Sequence, residues 1–77
     1  MSRTFTDESL LTWEAYTSGG KFGLATQPSI IFHCLTEPQR RARYVTRSGD
    51  EADAEQTVAE MPDEELREML RQSEEVH

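Results

Sequence analysis

The sequence has too little cysteine and too few long apolar runs for several classes of protein. Its one cysteine, Cys34, cannot form a disulfide within the chain, which excludes a disulfide-stabilised scaffold and favours a reducing compartment. No stretch approaches the ~20 apolar residues of a membrane-spanning helix, and the first residues do not have the apolar run of a signal peptide. We therefore expect a cytoplasmic protein that does not associate with a membrane.

Positive charge is also scarce, and it is unevenly distributed. The net charge of −7 divides into +2 over residues 1–49 and −9 over residues 50–77. Because an acidic chain repels phosphate groups, this composition disfavours a nucleic-acid partner. The length of 77 residues predicts one small domain, 1–77, in which residues 1–4 and 76–77 are frayed.

Two segments that are rich in β-branched and aromatic residues predict a β-hairpin. They are residues 29–35 and 40–47, and the polar segment between them contains Pro38. A further strand is predicted at 10–17, where Trp13 and its neighbours alternate with polar residues. A helix is the rival interpretation of 10–17, but its aromatic and threonine content favours a strand.

The length of the hairpin loop decides which side chains share a face of the sheet. A loop with an odd number of residues pairs Phe32 with Tyr44 and Cys34 with Ala42, which makes one face apolar. A loop with an even number places Phe32 beside Arg43. We favour the odd loop, although no glycine or asparagine specifies the turn.

The acidic second part of the chain predicts helices at 51–60 and 63–75. The first has a thin apolar stripe, so a loop remains possible there, whereas Leu66, Met69 and Leu70 give the second a clear buried face. The predicted fold is therefore α+β, with a three-stranded antiparallel sheet covered on one face by two C-terminal helices. The predicted core consists of Trp13, Ala15, Ile30, Phe32, Cys34, Ala42 and Tyr44 from the sheet, with Val58, Met61, Leu66, Met69 and Leu70 from the helices.

The other face of the predicted hairpin is the candidate binding surface. It combines aliphatic side chains with arginines, a mixture that is typical of protein interfaces, and consists of Ile31, His33, Leu35, Arg41, Arg43, Val45 and Arg47. The acidic segment 51–60 could instead cover this surface. We expect a small non-catalytic protein-interaction module or subunit, whose partner is another protein or a second copy of the chain. The alternative is an anion-binding or nucleic-acid-binding protein that uses the arginines.

Catalytic, metal and cofactor sites are not predicted. His33 and Cys34 are adjacent in a strand, so their side chains point to opposite faces and cannot act as a dyad. One cysteine and two histidines do not complete a structural zinc site without carboxylates or a second chain. We therefore expect no enzyme activity, and we interpret Cys34 as a buried core thiol.

Several short motifs resemble the pattern of a group of small uncharacterised bacterial proteins. They are Phe5-x-Asp7, Trp13-Glu14-Ala15-Tyr16, Ile30-Ile31-Phe32, Arg40-Arg41 and Pro62-Asp63-Glu64-Glu65-Leu66. In that group an aromatic-x-Asp segment precedes a Trp-Glu strand, and an arginine-rich strand and a terminal helix follow. The resemblance implies a similar order of elements and brings no assigned activity or catalytic residues.

Overall fold

The computed structural model of the chain describes residues 2–18, 28–47 and 51–75. In these ranges the elements are β1 (Ser2–Thr6), β2 (Thr12–Ser18), β3 (Ser29–Cys34), β4 (Arg43–Thr46), α1 (Glu51–Glu60), α2 (Asp63–Gln72) and β5 (Glu74–Glu75). The strands form one antiparallel sheet in the order β1-β2-β3-β4-β5. The prediction of an α+β fold with two C-terminal helices is confirmed, but the described part of the sheet has five strands rather than three.

The first additional strand is β1, so the prediction that residues 1–4 are frayed is wrong for residues 2–4. β1 pairs with β2 along its whole length and places Phe5 opposite Trp13. Phe5 is buried and meets Phe32 edge to face, with the ring centroids 6.0 Å apart. Burial of this aromatic ring stabilises the strand. Met1 and residues 76–77 lie outside the described residues.

The second additional strand, β5, takes the place of the predicted last turn of helix 63–75. Ser73 has extended backbone angles, and both its N–H and its hydroxyl donate to the carbonyl of Leu70. Such local bonds compete with the continuation of a helix. Glu74 and Glu75 then pair with β4, which satisfies backbone groups that β4 would otherwise expose at its edge.

The predicted hairpin register is wrong, because the loop has the even length. Phe32 lies opposite Arg43, and Ile31 lies opposite Tyr44. The chain reverses through a tight turn in which the N–H of Arg40 donates to the carbonyl of Glu37 at 2.9 Å. Consequently Tyr44 points away from the core, and Arg43 and Val45 lie on the side of the helices.

The core fills the space between the sheet and the two helices. Burial is confirmed for most of the predicted residues: Trp13, Ala15, Ile30, Phe32, Cys34, Val58, Leu66, Met69 and Leu70, with Phe5 and Ala54 in addition. Met61 is half-buried against this cluster. Ala42 and Tyr44 are also half-buried but do not belong to the core, which follows from the changed register.

Helix α1 spans residues 51–60, as predicted, so the alternative of a loop in this segment is excluded. Its Val58 packs into the core, although its apolar stripe is thin. Among the described residues, neither helix has the length or the apolar character required to cross a membrane.

Candidate functional site

The two helices cover one face of the sheet, and the strand residues that point the other way form what we call the open face. Because side chains alternate along a strand, the pairing of the strands identifies these residues. No described helix or strand lies over them. The main members of the open face are Thr4, Thr12, Glu14, Tyr16, Ile31, His33, Tyr44 and Glu74.

A row of large side chains crosses the centre of the open face. Tyr16 pairs with Ile31, and Ile31 pairs with Tyr44. Tyr16 is 37% exposed, while Ile31 and Tyr44 are half-buried. Neighbouring strands are about 4.8 Å apart, so the backbones that carry the two tyrosines are separated by roughly 10 Å. The row therefore gives the open face an aromatic and aliphatic centre.

The short strand β5 supplies a hydrogen-bond partner for one end of this row. The hydroxyl of Tyr44 donates to Oε2 of Glu74 at 3.0 Å. This bond, together with the negative charge of Glu74, raises the pKa of Tyr44 above its usual value. Tyr44 is therefore neutral at physiological pH, and its ring is held beside a carboxylate.

A second, more polar row lies next to the aromatic row. Glu14 pairs with Thr4 on one side and with His33 on the other. Glu14 and His33 are both half-buried. This row adds a carboxylate and an imidazole to the open face, and both can form hydrogen bonds with a ligand.

The predicted binding residues do not share one face, which corrects the candidate surface. Ile31 and His33 lie on the open face, whereas Arg43 and Val45 lie on the opposite side. The remaining three are outside the strands: Leu35 and Arg41 belong to the hairpin loop, and Arg47 follows β4. A binding role stays a prediction for Ile31 and His33, but the proposed combination of arginines with aliphatic residues on one face is wrong.

Most of the arginines in the described ranges donate hydrogen bonds to oxygen atoms of the chain itself. Arg43, for example, donates to Oγ of Ser73 at 2.7 Å and to its carbonyl oxygen. The acceptors of the others are Met61 and Asp63 for Arg3, Glu37 for Arg40, Thr6 for Arg67, and Glu8 and Glu68 for Arg71. Apart from Arg40, which bonds within the hairpin turn, these guanidinium groups link separate elements of the fold.

The interpretation of Cys34 as a core thiol is confirmed. Its side chain is fully buried, and its Sγ accepts a hydrogen bond from the N–H of Glu37 at 3.4 Å. His33 lies on the other face of the same strand, so the two side chains do not form a dyad. In the described ranges, no group of three or more histidine, cysteine or carboxylate side chains is arranged to hold a metal ion.

Two clefts lie beside the helices rather than on the open face. One has a volume of about 390 Å³ and is bordered by α1 and the start of α2: Asp53, Gln56, Thr57, Glu60, Met61, Pro62 and Glu65. The other, of about 240 Å³, lies between the β1–β2 turn and α2 and is lined by Asp7, Glu8, Ser9, Arg67, Leu70 and Arg71. Among the residues that the structure describes, neither lining includes a histidine or a cysteine, so these residues do not combine a nucleophile with an imidazole base.

Sequence reasoning missed four members of the candidate site: Tyr16, Tyr44, Glu14 and Glu74. The alternation of 10–17 already separates Tyr16 and Glu14 from Trp13, so that signal was available. The face to which Tyr44 points depends on the hairpin register. Glu74 reaches the open face only because its short strand pairs with β4.

The comparisons with known proteins do not assign this site a role. No family model matches the chain, and no curated protein or solved structure is significantly similar to it.

Proposed function

We propose that the chain is a small non-catalytic protein-interaction module and that the open face is its binding surface. The observation that carries this proposal is the row Tyr16–Ile31–Tyr44 on the side of the sheet away from the helices. Tyrosine is enriched in protein interfaces because it contributes a large apolar area and a hydrogen-bonding group at low entropic cost. The antiparallel sheet also holds such side chains at regular positions on a hydrogen-bonded backbone.

The alternative of anion or nucleic-acid binding receives less support from the arrangement of charges. It required Arg41, Arg43 and Arg47 to act together on one face. Arg43 instead donates to Ser73 on the side of the helices. The tyrosines of the open face could stack on bases, but Glu14 and Glu74 would repel the phosphate groups.

The resemblance to small bacterial proteins and the cytoplasmic location remain part of this proposal. The resemblance brings no activity, which is compatible with a binding role. The free thiol of Cys34 suits a reducing compartment.

Affinity capture with matched variants tests the proposal. The double variant Tyr16→Ser/Tyr44→Ser removes both rings from the open face, whereas Leu10→Ser removes a side chain that is 80% exposed in the β1–β2 turn. Partners that depend on the open face should be lost from the first variant and retained by the second, while circular dichroism shows that both variants are folded. If the double variant retains every association of the wild type, the open face is not the binding surface.

A further inference from the structure

The open face combines aromatic rings with negative charge. The described strand residues that point to it include the carboxylates Glu14 and Glu74 but no lysine or arginine. The two arginines of the described strands, Arg3 and Arg43, donate hydrogen bonds on the side of the helices. Within the described strands, a partner could therefore supply the lysine or arginine that this face does not carry.

Each tyrosine of the central row has a carboxylate beside it. Tyr44 is hydrogen-bonded to Glu74 at 3.0 Å. Glu14 precedes Tyr16 by two positions in β2, so both point to the same face at a spacing of roughly 6.7 Å along the strand. Ile31 lies between the two tyrosines. The result is two aromatic–carboxylate pairs on either side of an aliphatic side chain.

This pattern matches the chemistry of a guanidinium or ammonium group. A cation is attracted to the face of an aromatic ring, and it gains more when a carboxylate accepts its hydrogen bonds. Arginine fits best, because its planar group can stack on tyrosine while its N–H groups reach a carboxylate. The aliphatic stems of arginine and lysine can also cover Ile31.

We propose that the occupant of the open face is a basic segment of a partner protein, with arginine or lysine side chains placed at Tyr16–Glu14 and Tyr44–Glu74. This inference rests on the proposed function and specifies the chemistry of the partner. The net charge of −7 acts in the same direction, since it attracts a basic partner and accelerates encounter.

The same charges disfavour a second copy of the chain as the occupant. Two open faces in contact would bring Glu14 and Glu74 of one copy close to carboxylates of the other, and like charges at an interface are costly. A basic segment removes this repulsion and forms ion pairs in its place.

Nuclear magnetic resonance titration of the full chain tests the proposal. The probes are three synthetic peptides of equal length, in which valine alternates with arginine, with serine or with glutamate. We expect the arginine peptide to shift the amide signals of Tyr16, Ile31 and Tyr44, and the glutamate peptide to leave them unchanged. The serine peptide shows how much of the binding requires no charge.

A matched pair of charge variants separates a specific site from general attraction to an acidic protein. Glu14→Gln/Glu74→Gln and Glu64→Gln/Glu65→Gln remove the same charge, but the second pair lies on exposed positions of α2. Loss of the two carboxylates that accept hydrogen bonds from the cations should weaken binding of the arginine peptide about tenfold or more in the first variant. The α2 variant should change the affinity by less than about threefold, since it affects only long-range attraction.

The possible results distinguish failure of this inference from failure of the proposed function. Equal weakening by both variants, or shifts that spread over the helices, would overturn the inference by showing non-specific attraction. Binding of the serine or glutamate peptide to the open face as tightly as the arginine peptide, or shifts of this face by self-association alone, would overturn it while supporting a binding role for this face. The proposed function itself fails only if Tyr16→Ser/Tyr44→Ser retains every association of the wild type.

Discussion

The carboxylate of Asp7 organises the turn between β1 and β2. Its Oδ1 accepts hydrogen bonds from the N–H groups of Ser9 and Leu11 at 2.8 and 3.0 Å, and its Oδ2 accepts one from Nε1 of Trp13 at 2.8 Å. Partial burial alone would raise the pKa of Asp7, but the bonds from Trp13, Leu11 and Ser9 outweigh it and lower the pKa. The turn therefore depends on the ionised carboxylate.

We expect Asp7→Asn to lower the free energy of unfolding at neutral pH by about 1–3 kcal/mol, because the amide nitrogen of asparagine cannot accept the bond from the buried Trp13 indole. Since the pKa of Asp7 is lower in the folded than in the unfolded state, ionised Asp7 stabilises the fold above the unfolded pKa. This contribution is lost as the pH falls through the folded pKa. Urea denaturation should show the difference between wild type and variant shrinking on acidification.

Glu55→Gln is the control for the Asp7 experiment, because Glu55 is exposed on α1. It should leave the stability nearly unchanged at neutral pH. An Asp7→Asn effect that is equally large below the pKa of Asp7 would contradict the role given to its charge.

Leu10, in the same turn, adopts a left-handed backbone conformation that is unfavourable for a residue with a side chain. Its φ angle is 66°, and its side chain is 80% exposed, so burial does not compensate for the conformation. A left-handed conformation costs a non-glycine residue about 1–2 kcal/mol. Glycine avoids this cost, but it lowers the stability by about 0.4–1 kcal/mol because it increases the conformational entropy of the unfolded chain.

We expect Leu10→Gly to raise the free energy of unfolding by about 0.5–1 kcal/mol in urea denaturation. Leu10→Val should lower it, because a branched side chain tolerates this region even less. A loss of stability in Leu10→Gly would be the contrary result.

The periodic pattern of the sequence predicted both helices and three of the five strands. Alternation placed Trp13 and Phe32 in the core, and helical spacing did the same for Leu66 and Leu70. These signals are strong because burial acts on every second residue of a strand or on one stripe of a helix.

The missed strands carry weaker local signals. β1 has one large apolar residue, Phe5, and β5 consists of two glutamates. The pairing of β5 depends on contacts that are distant in the sequence, including the bonds between Arg43 and Ser73. The register of the hairpin was ambiguous for a similar reason, since its turn contains no residue that fixes the loop length.

The contact between Arg43 and Ser73 links β4 to the end of α2 and can be measured directly. Ser73 is buried and accepts a bond from Nε of Arg43 at 2.7 Å. We expect Arg43→Met and Ser73→Ala each to lower the free energy of unfolding by about 1–3 kcal/mol. In a double-mutant cycle, the two should be coupled by about 0.5–3 kcal/mol, because both remove the bond from Nε of Arg43 to Oγ of Ser73.

Arg40→Met is the matched control for this cycle, because Arg40 is paired with Glu37 on the surface. It should change the stability by less than about 0.5 kcal/mol. Strictly additive effects of Arg43→Met and Ser73→Ala would contradict the contact. Loss of a partner without loss of stability in Arg43→Met would instead favour the binding role first predicted for this arginine.

The negative charge of the chain is concentrated in its C-terminal part. Residues 50–77 carry eleven carboxylates and two arginines, and most of these carboxylates lie on the two helices that cover the core face of the sheet. Arg71 is shared between Glu8 and Glu68, and Arg3 pairs with Asp63. These exposed pairs offset only part of the repulsion among the carboxylates.

Salt should therefore stabilise the protein. The Debye length falls from about 30 Å at 0.01 M ionic strength to about 10 Å at 0.1 M, so moderate salt screens repulsion between carboxylates that are not in contact. We expect the melting temperature to rise between these concentrations of sodium chloride, measured by calorimetry. The variant Glu55→Gln/Glu64→Gln, which removes two exposed charges, should show a smaller rise because it has less repulsion to relieve.

A melting temperature of the wild type that stays constant or falls with added salt would mean that the ion pairs of Arg3 and Arg71 already outweigh the repulsion between carboxylates, since screening weakens favourable pairs as well. The open face would then have less excess negative potential with which to attract a basic partner.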